Sequence, residues 1–351
     1  MGAPAGSGWR GRSAFEAPVR PFGFPDPVRR PERRAPLLVT PPSSPHPLLI
    51  MAASPLTEPV APDVLRIPVA FVNAYAVGAP GGPWVLVDTG LPGAAAYVRQ
   101  AAEAHQGGPP EAIVLTHGHF DHAGNALALA EAWDVPVYAH AEELPFLTGR
   151  SDYPPADSSM GGAIAQLARL FPSSGYDFGE RVRALPEDGS VPHLPGWRWV
   201  HTPGHTPGHV SLWQADGRTL LAGDAFATMD LDSWATQVTH KRTLDRPPVP
   251  FTPDWDAADA SIRRLSELRP DAVGAGHGRA MSSPNLANQL VRYAAVQHRP
   301  DRGRYVPEPA RFDPERGTVY VPPPVPDRAL PSFVMGIGAL AGGILMLGRR
   351  K

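Results

Sequence analysis

Between residues 117 and 122 the chain places three imidazoles and one carboxylate, in the stretch Thr116-His117-Gly118-His119-Phe120-Asp121-His122. The apolar run Ala112-Ile113-Val114-Leu115 leads into it, and a helix-like segment from Asn125 to Trp133 follows. An apolar run of this length before Gly-containing polar residues predicts a buried strand that ends in a loop. Imidazole and carboxylate are the ligands that zinc takes in place of thiolate. At i and i+2 on an extended tip, His117 and His119 can point to one side and hold one metal. Asp121 and His122 follow as the chain turns and can face a second. A tight cluster on a loop suits two open sites better than one closed structural site. The competing reading is a solvated His-rich loop; four ligand side chains directly after a strand argue against it.

Three more strand-like runs lead to a ligand side chain. Trp197 to Val200 precedes Pro203-Gly204-His205-Thr206, Leu220-Leu221-Ala222-Gly223 ends on Asp224, and Val273-Gly274-Ala275-Gly276 ends on His277. Each predicts a strand end that delivers one ligand through a turn that glycine permits. With Val87-Asp88-Thr89-Gly90 in front, these motifs in this order resemble those of the metallo-β-lactamase-fold metallohydrolases, over roughly Leu65 to Met281.

The resemblance implies an α/β fold, the αβ/βα four-layer sandwich: two mixed sheets face to face, helices outside, and metals where strand ends converge. It implies one metal held by His117, His119 and His205, another by Asp121, His122 and His277, and Asp224 bridging them. The repeat Thr202-Pro203-Gly204-His205-Thr206-Pro207-Gly208-His209 makes His201, His205 and His209 rivals for one ligand position. The family pattern gives it to His205 and leaves His209, like Asp88, to support the ligands from behind. Two divalent ions are expected, zinc first, with iron or manganese also accepted by this donor set.

Two cations lower the pKa of the water between them, so the implied chemistry is hydroxide attack on an ester, lactone or thioester, with Asp121 accepting the proton. Within the family, a flavo-diiron oxidase would carry Glu at His119, and β-lactamases either use a Cys ligand or lack a bridging Asp at Asp224. The glyoxalase-II-like and lactonase-like group remains, although the basic residues with which glyoxalase II binds glutathione are not found in the sequence. A mononuclear-iron sulfur dioxygenase, a phosphodiesterase and a catalytically silent metal-binding interaction protein are the alternatives.

Composition narrows the setting. The chain has no Cys, which excludes disulfides and thiolate ligands. Its formal net charge of -2 provides no basic footprint for nucleic acid, so the expected partner is a small-molecule substrate. Residues 1–57 are Pro-punctuated, with Arg29, Arg30, Arg33 and Arg34 clustered, and predict a disordered extension. Met51 is a candidate start of translation, and no apolar h-region follows the basic residues as a secretory signal would require.

The catalytic domain is expected over 58–298, and the Pro-rich, charged segment 299–330 as a linker. The uncharged apolar run 331–348, closed by Arg349-Arg350-Lys351, is expected as a transmembrane anchor, making the protein cytoplasmic or membrane-associated through that segment. Tyr153 and Tyr176 read as pocket groups or as packing. His240, on a polar segment expected to loop over the metals, reads as a substrate donor or a surface histidine. His140 reads as structural.

Overall fold

The computed structural model describes residues 57–327. The extension up to residue 56, including Met51, and the expected anchor at 331–348 lie outside the described residues. Two sheets carry the fold. The first runs in sequence order: β1 (Glu58–Ala61), β2 (Val64–Val69), β3 (Val72–Val77), β4 (Val85–Val87), β5 (Ala112–Val114), β6 (Val137–Ala139) and β7 (Val182–Ala184). It is antiparallel from β1 to β4 and parallel from β4 to β7. The second has the order β12-β11-β10-β9-β8, with β8 (Trp197–His201), β9 (Val210–Gln214), β10 (Thr219–Leu221), β11 (Ala272–Gly274) and β12 (Met281–Ser282). Only β10 and β11 are parallel there.

The sequence sorts its apolar side chains between layers by the two-residue period of a strand. Val85 and Val87 of β4, Ala112 and Val114 of β5, Leu221 of β10 and Ala272 of β11 share one core with Val210 and Leu212 of β9. That core lies between the sheets. The intervening residues face outwards: Leu86 and Ile113 pack on the helices Ala95–Gln106 and Ala126–Trp133. Leu220 and Val273 pack on Trp255–Glu267 and Leu286–Ala294. These short strands are buried on both faces, which is why they read as unbroken apolar runs. The four layers are those of the αβ/βα sandwich.

Local signals set the helix ends. Ala95–Gln106 stops at Gly107, whose φ of 87° suits a left-handed cap, and the Gly107 N–H returns to the Glu103 carbonyl. Trp255–Glu267 starts at Asp254, whose side chain accepts the Ala257 N–H. β2 and β3 form a hairpin whose tip, Ala70-Phe71, divides what the sequence suggests is a continuous strand from Leu65 to Val72.

The segment expected as a linker does not behave as one. Residues 299–327 fold back on the domain, with β13 (Arg311–Asp313) paired to β14 (Gly317–Tyr320). Tyr305 is buried among Val249, Trp255 and Ala310, and its hydroxyl donates to the Pro155 carbonyl at 2.6 Å. The Ala310 N–H bonds the Pro253 carbonyl, and Asp327 pairs with Arg169 at 2.6 Å. Proline hides this packing from a periodicity argument, because isolated aromatic anchors between prolines leave no repeat to read. Among the described residues no helix is long and apolar enough to cross a membrane.

Tyr305→Ala should therefore cost about 3 kcal/mol, as for truncation of other buried aromatic side chains. Denaturant unfolding of the full chain measures it; an unchanged midpoint would restore the linker description.

Candidate metal centre

The parallel strands β4, β5, β10 and β11 end at one edge of the sandwich, and the chemistry-bearing side chains leave from those ends. Asp88 follows β4, and His117 to His122 follow β5. Asp224 follows β10, and His277 follows β11. His205 comes from the connection between β8 and β9. His117, His119 and His205 bring ligand atoms within 4.8 Å of one another; so do Asp121, His122 and His277, and so do His117, His122 and Asp224. Asp224 joins the groups: its Oδ2 lies 3.4 Å from His205 Nε2, 3.5 Å from His122 Nε2 and 3.2 Å from His277 Nε2.

An imidazole can ligate only if the nitrogen facing the metal carries a lone pair, so the other must be the donor. Asp88 arranges this for two histidines. Its Oδ2 accepts His122 Nδ1–H at 2.9 Å and the Thr116 hydroxyl at 2.8 Å, while Oδ1 takes the Thr116 N–H at 2.8 Å. With its proton committed, the Thr116 hydroxyl can only accept from His117 Nδ1, 3.1 Å away. His277 Nδ1 donates to the Phe71 carbonyl at 2.8 Å, and His205 Nδ1 faces the Thr252 hydroxyl at 3.4 Å. The inward nitrogens Nε2 of His117, His122, His205 and His277 are thereby left as acceptors.

His117 Nε2, His122 Nε2 and Asp224 Oδ1 are buried and have no hydrogen-bond partner. Three such atoms in one pocket would be costly in a site without a ligand of its own. Atoms that bind a tetrahedral zinc at about 2.0–2.1 Å lie roughly 3.3 Å apart, and His277 Nε2 stands 3.6 Å from Asp121 Oδ2. The residues present fit divalent cations.

Electrostatics divide the cluster: three rings are held neutral, while the carboxylates beside His122 and His277 raise both values, so that end favours a positive charge that a proton or a metal ion can supply. Burial and neighbouring imidazoles hold His117 and His205 well below the ordinary histidine value, and burial takes His119 down to about 3. These rings stay neutral. At His122 burial also opposes charge, but the carboxylates of Asp224, Asp88 and Asp121 outweigh it and raise the value. Burial raises Asp121, whereas at Asp224 the neighbouring His277 and His122 overcome burial and hold the carboxyl well below its usual range.

His209 spends its nitrogens elsewhere. Nε2 accepts the Asp224 backbone N–H at 2.8 Å, and Nδ1 lies 2.8 Å from the Thr202 hydroxyl and 3.1 Å from its carbonyl. It fixes the peptide that carries Asp224 and has no nitrogen left for a metal. His240 is not in this pocket: it caps the helix Trp234–Thr239 and lines a separate cavity with Glu58, Arg66 and Arg279. That cavity shares Phe71 with the metal pocket, but His240 is not among the residues lining the pocket itself.

Tyr153 lines the pocket with its ring 4.6 Å from that of His119, but its hydroxyl points at Glu143. Glu143, buried and bonded to both ligand loops, is absent from the sequence reading; a Glu after a short strand carries no motif. A further grouping, His140, Glu142 and His201, lies nearer the surface. There the rings stack 4.3 Å apart, His140 Nδ1 takes the Glu142 N–H, and His201 Nε2 donates to the Pro207 carbonyl. Burial, with His201 beside it, pushes His140 down to about 4, so the His140 ring packs neutral.

A sequence profile of the metallo-beta-lactamase superfamily matches residues 67–277. The chain is 44% identical over 239 residues to the probable metallo-hydrolase YflN of Bacillus subtilis, covering 67% of this chain and 90% of that protein. It is 32% identical over 210 residues to the probable metallo-hydrolase YybB of the same organism, covering 59% and 82%. The hydroxyacylglutathione hydrolase GloC of Haemophilus influenzae is 27% identical over 170 residues, covering 47% of this chain and 68% of that protein.

Asp88→Asn puts an amide N–H₂ where three donors now converge. It should weaken binding at both metal positions by roughly 10–100-fold, because His122 loses its acceptor and the Thr116 hydroxyl that orients His117 loses the carboxylate that fixes its proton. Chelator competition on the metal-loaded chain reads this; unchanged affinity would remove Asp88 from the account.

Proposed function

We propose that this chain, which belongs to the metallo-beta-lactamase superfamily, is a hydrolase of uncharged esters, lactones or thioesters that works with two divalent metal ions. The observation that carries the reading is the company the ligands keep. Around His119, Asp121, His205, Asp224 and His277 the pocket wall is Phe71, Phe120, Tyr153, Ile164, Phe171 and Phe251, with three prolines and Ser173. No Lys or Arg is among these lining residues. A glutathione carboxylate, lying away from the metals, would find no Lys or Arg in this wall to receive it, whereas a neutral acyl group finds apolar surface.

His117, His119 and His205 would hold one ion, Asp121, His122 and His277 the other, with Asp224 between them. Ions so held lower the pKa of a water molecule and polarise a carbonyl oxygen. The protein's share is the rest. Asp121 stands at the pocket wall and accepts the proton that the attacking water gives up. Asp224 holds the two ligand groups at a fixed separation, and His209 holds Asp224. The aromatic wall excludes water from the acyl group and orients it.

Phe171 is central to that wall. Its ring lies 5.7 Å from Phe71, 4.9 Å from Phe120 and 6.3 Å from Phe251, so it narrows the space in front of the ligand side chains. Phe171→Ala should shift preference towards bulkier acyl groups by roughly 10-fold in kcat/KM, the scale of small volume changes in an apolar pocket.

The decisive assay presents zinc-loaded protein with a neutral aryl ester series, lactones, acyl thioesters and an aryl phosphodiester. Turnover of the neutral acyl substrates, abolished by chelation, is expected. Turnover of the phosphodiester alone would overturn the reading, as would one iron per chain with oxygen consumption on a persulfide.

A further inference from the structure

We infer that Glu143 is a positioning residue that clamps the two loops carrying His117, His119 and His205, and so governs affinity at that metal position alone. The inference rests on the two-metal reading above for its consequence, but not for its geometry.

Glu143 ends the short turn Ala141–Glu143 after β6 and is fully buried. Four donors reach its carboxylate. Oε2 accepts the Gly118 N–H at 3.0 Å and the Tyr153 hydroxyl; Oε1 accepts the Thr206 hydroxyl at 2.7 Å and the Gly208 N–H at 2.9 Å. Gly118 lies between His117 and His119, and Thr206 and Gly208 follow His205. One side chain thus ties the β5 loop to the β8–β9 loop at the residues next to three ligands. Four bonds use the whole acceptor capacity of a carboxylate, and a carboxylate offers no donor in return.

The two glycines allow this approach. A Cβ on Gly118 would lie 2.3 Å from the Tyr153 hydroxyl oxygen and 2.7 Å from Leu147; one on Gly208 would lie 2.7 Å from the Glu143 backbone nitrogen. Any side chain at either position would push its loop off the clamp. The residues of the other metal position are bonded differently: His122 to Asp88 and His277 to the Phe71 carbonyl. Glu143 touches neither.

Glu143→Gln tests the idea. An amide can face only one pair of donors with its oxygen, and its N–H₂ meets a backbone N–H on the other side. Hydroxyls can rotate to accept, but a backbone N–H cannot, so one loop must come away. Zinc titration of the full chain against a competing chelator should show one equivalent weakened by roughly 10–100-fold and the other unchanged. Amide exchange on the metal-free chain should accelerate at Gly118 or Gly208 while the β10 amides stay protected.

Equal weakening of both equivalents, or of neither, would overturn the clamp. If Glu143→Gln does not fold, Thr206→Val decides: it removes one donor and should weaken the same single equivalent, whereas loss at both sites overturns the idea. A parent chain that binds no zinc, with faster exchange at Gly118 or Gly208 in Glu143→Gln, would sink the metal reading and leave the clamp standing.

Discussion

Five imidazoles, four of them buried and His119 partly so, must each keep a lone pair aimed at one small volume: His117, His119, His122, His205 and His277. An imidazole has two nitrogens, and burial leaves no solvent to correct a wrong tautomer. The account therefore depends on what lies behind the rings. Asp88 settles two of them, directly at His122 and through the Thr116 hydroxyl at His117. The Phe71 carbonyl settles a third from the tip of the β2–β3 hairpin. That hairpin also contributes the Phe71 ring to the substrate wall, so one turn serves both the ligand and the pocket.

The sandwich meets this demand because strand ends from two sheets open on one edge. The strands near the site are short and buried on both faces, so their positions are fixed by core packing and not by solvent-facing residues. Ligands placed just beyond such ends inherit that rigidity, as preorganised sites need. Later segments then close the site. Phe171 and Phe251 come from the connections after β6 and β10, and Phe312 of β13 lines a small cavity beside His119 and His205. The stretch 299–327 is thus part of the wall around the site.

Much of the fold was legible because the apolar runs before His117, Asp224 and His277 each end on a polar ligand, a pattern with few structural meanings. The same runs announced the residues that the structure brings together, whereas the preference for His205 over His209 came from the family resemblance. What escaped the sequence was of another kind. Glu143 and Tyr305 act through burial and through partners distant along the chain, and neither leaves a periodicity. His240, read as a substrate donor or a surface histidine, caps the helix Trp234–Thr239 and lines a cavity that shares Phe71 with the metal pocket.

The central claim is that two ions share one carboxylate in this pocket. Anomalous diffraction from crystals of the zinc-loaded chain, recorded on either side of the zinc edge, tests it most directly. The account predicts two peaks, one within about 2.0–2.2 Å of a nitrogen of each of His117, His119 and His205, the other equally near Asp121, His122 and His277, with Asp224 reaching both. A single peak, or a peak beside His209 in place of His205, would contradict it.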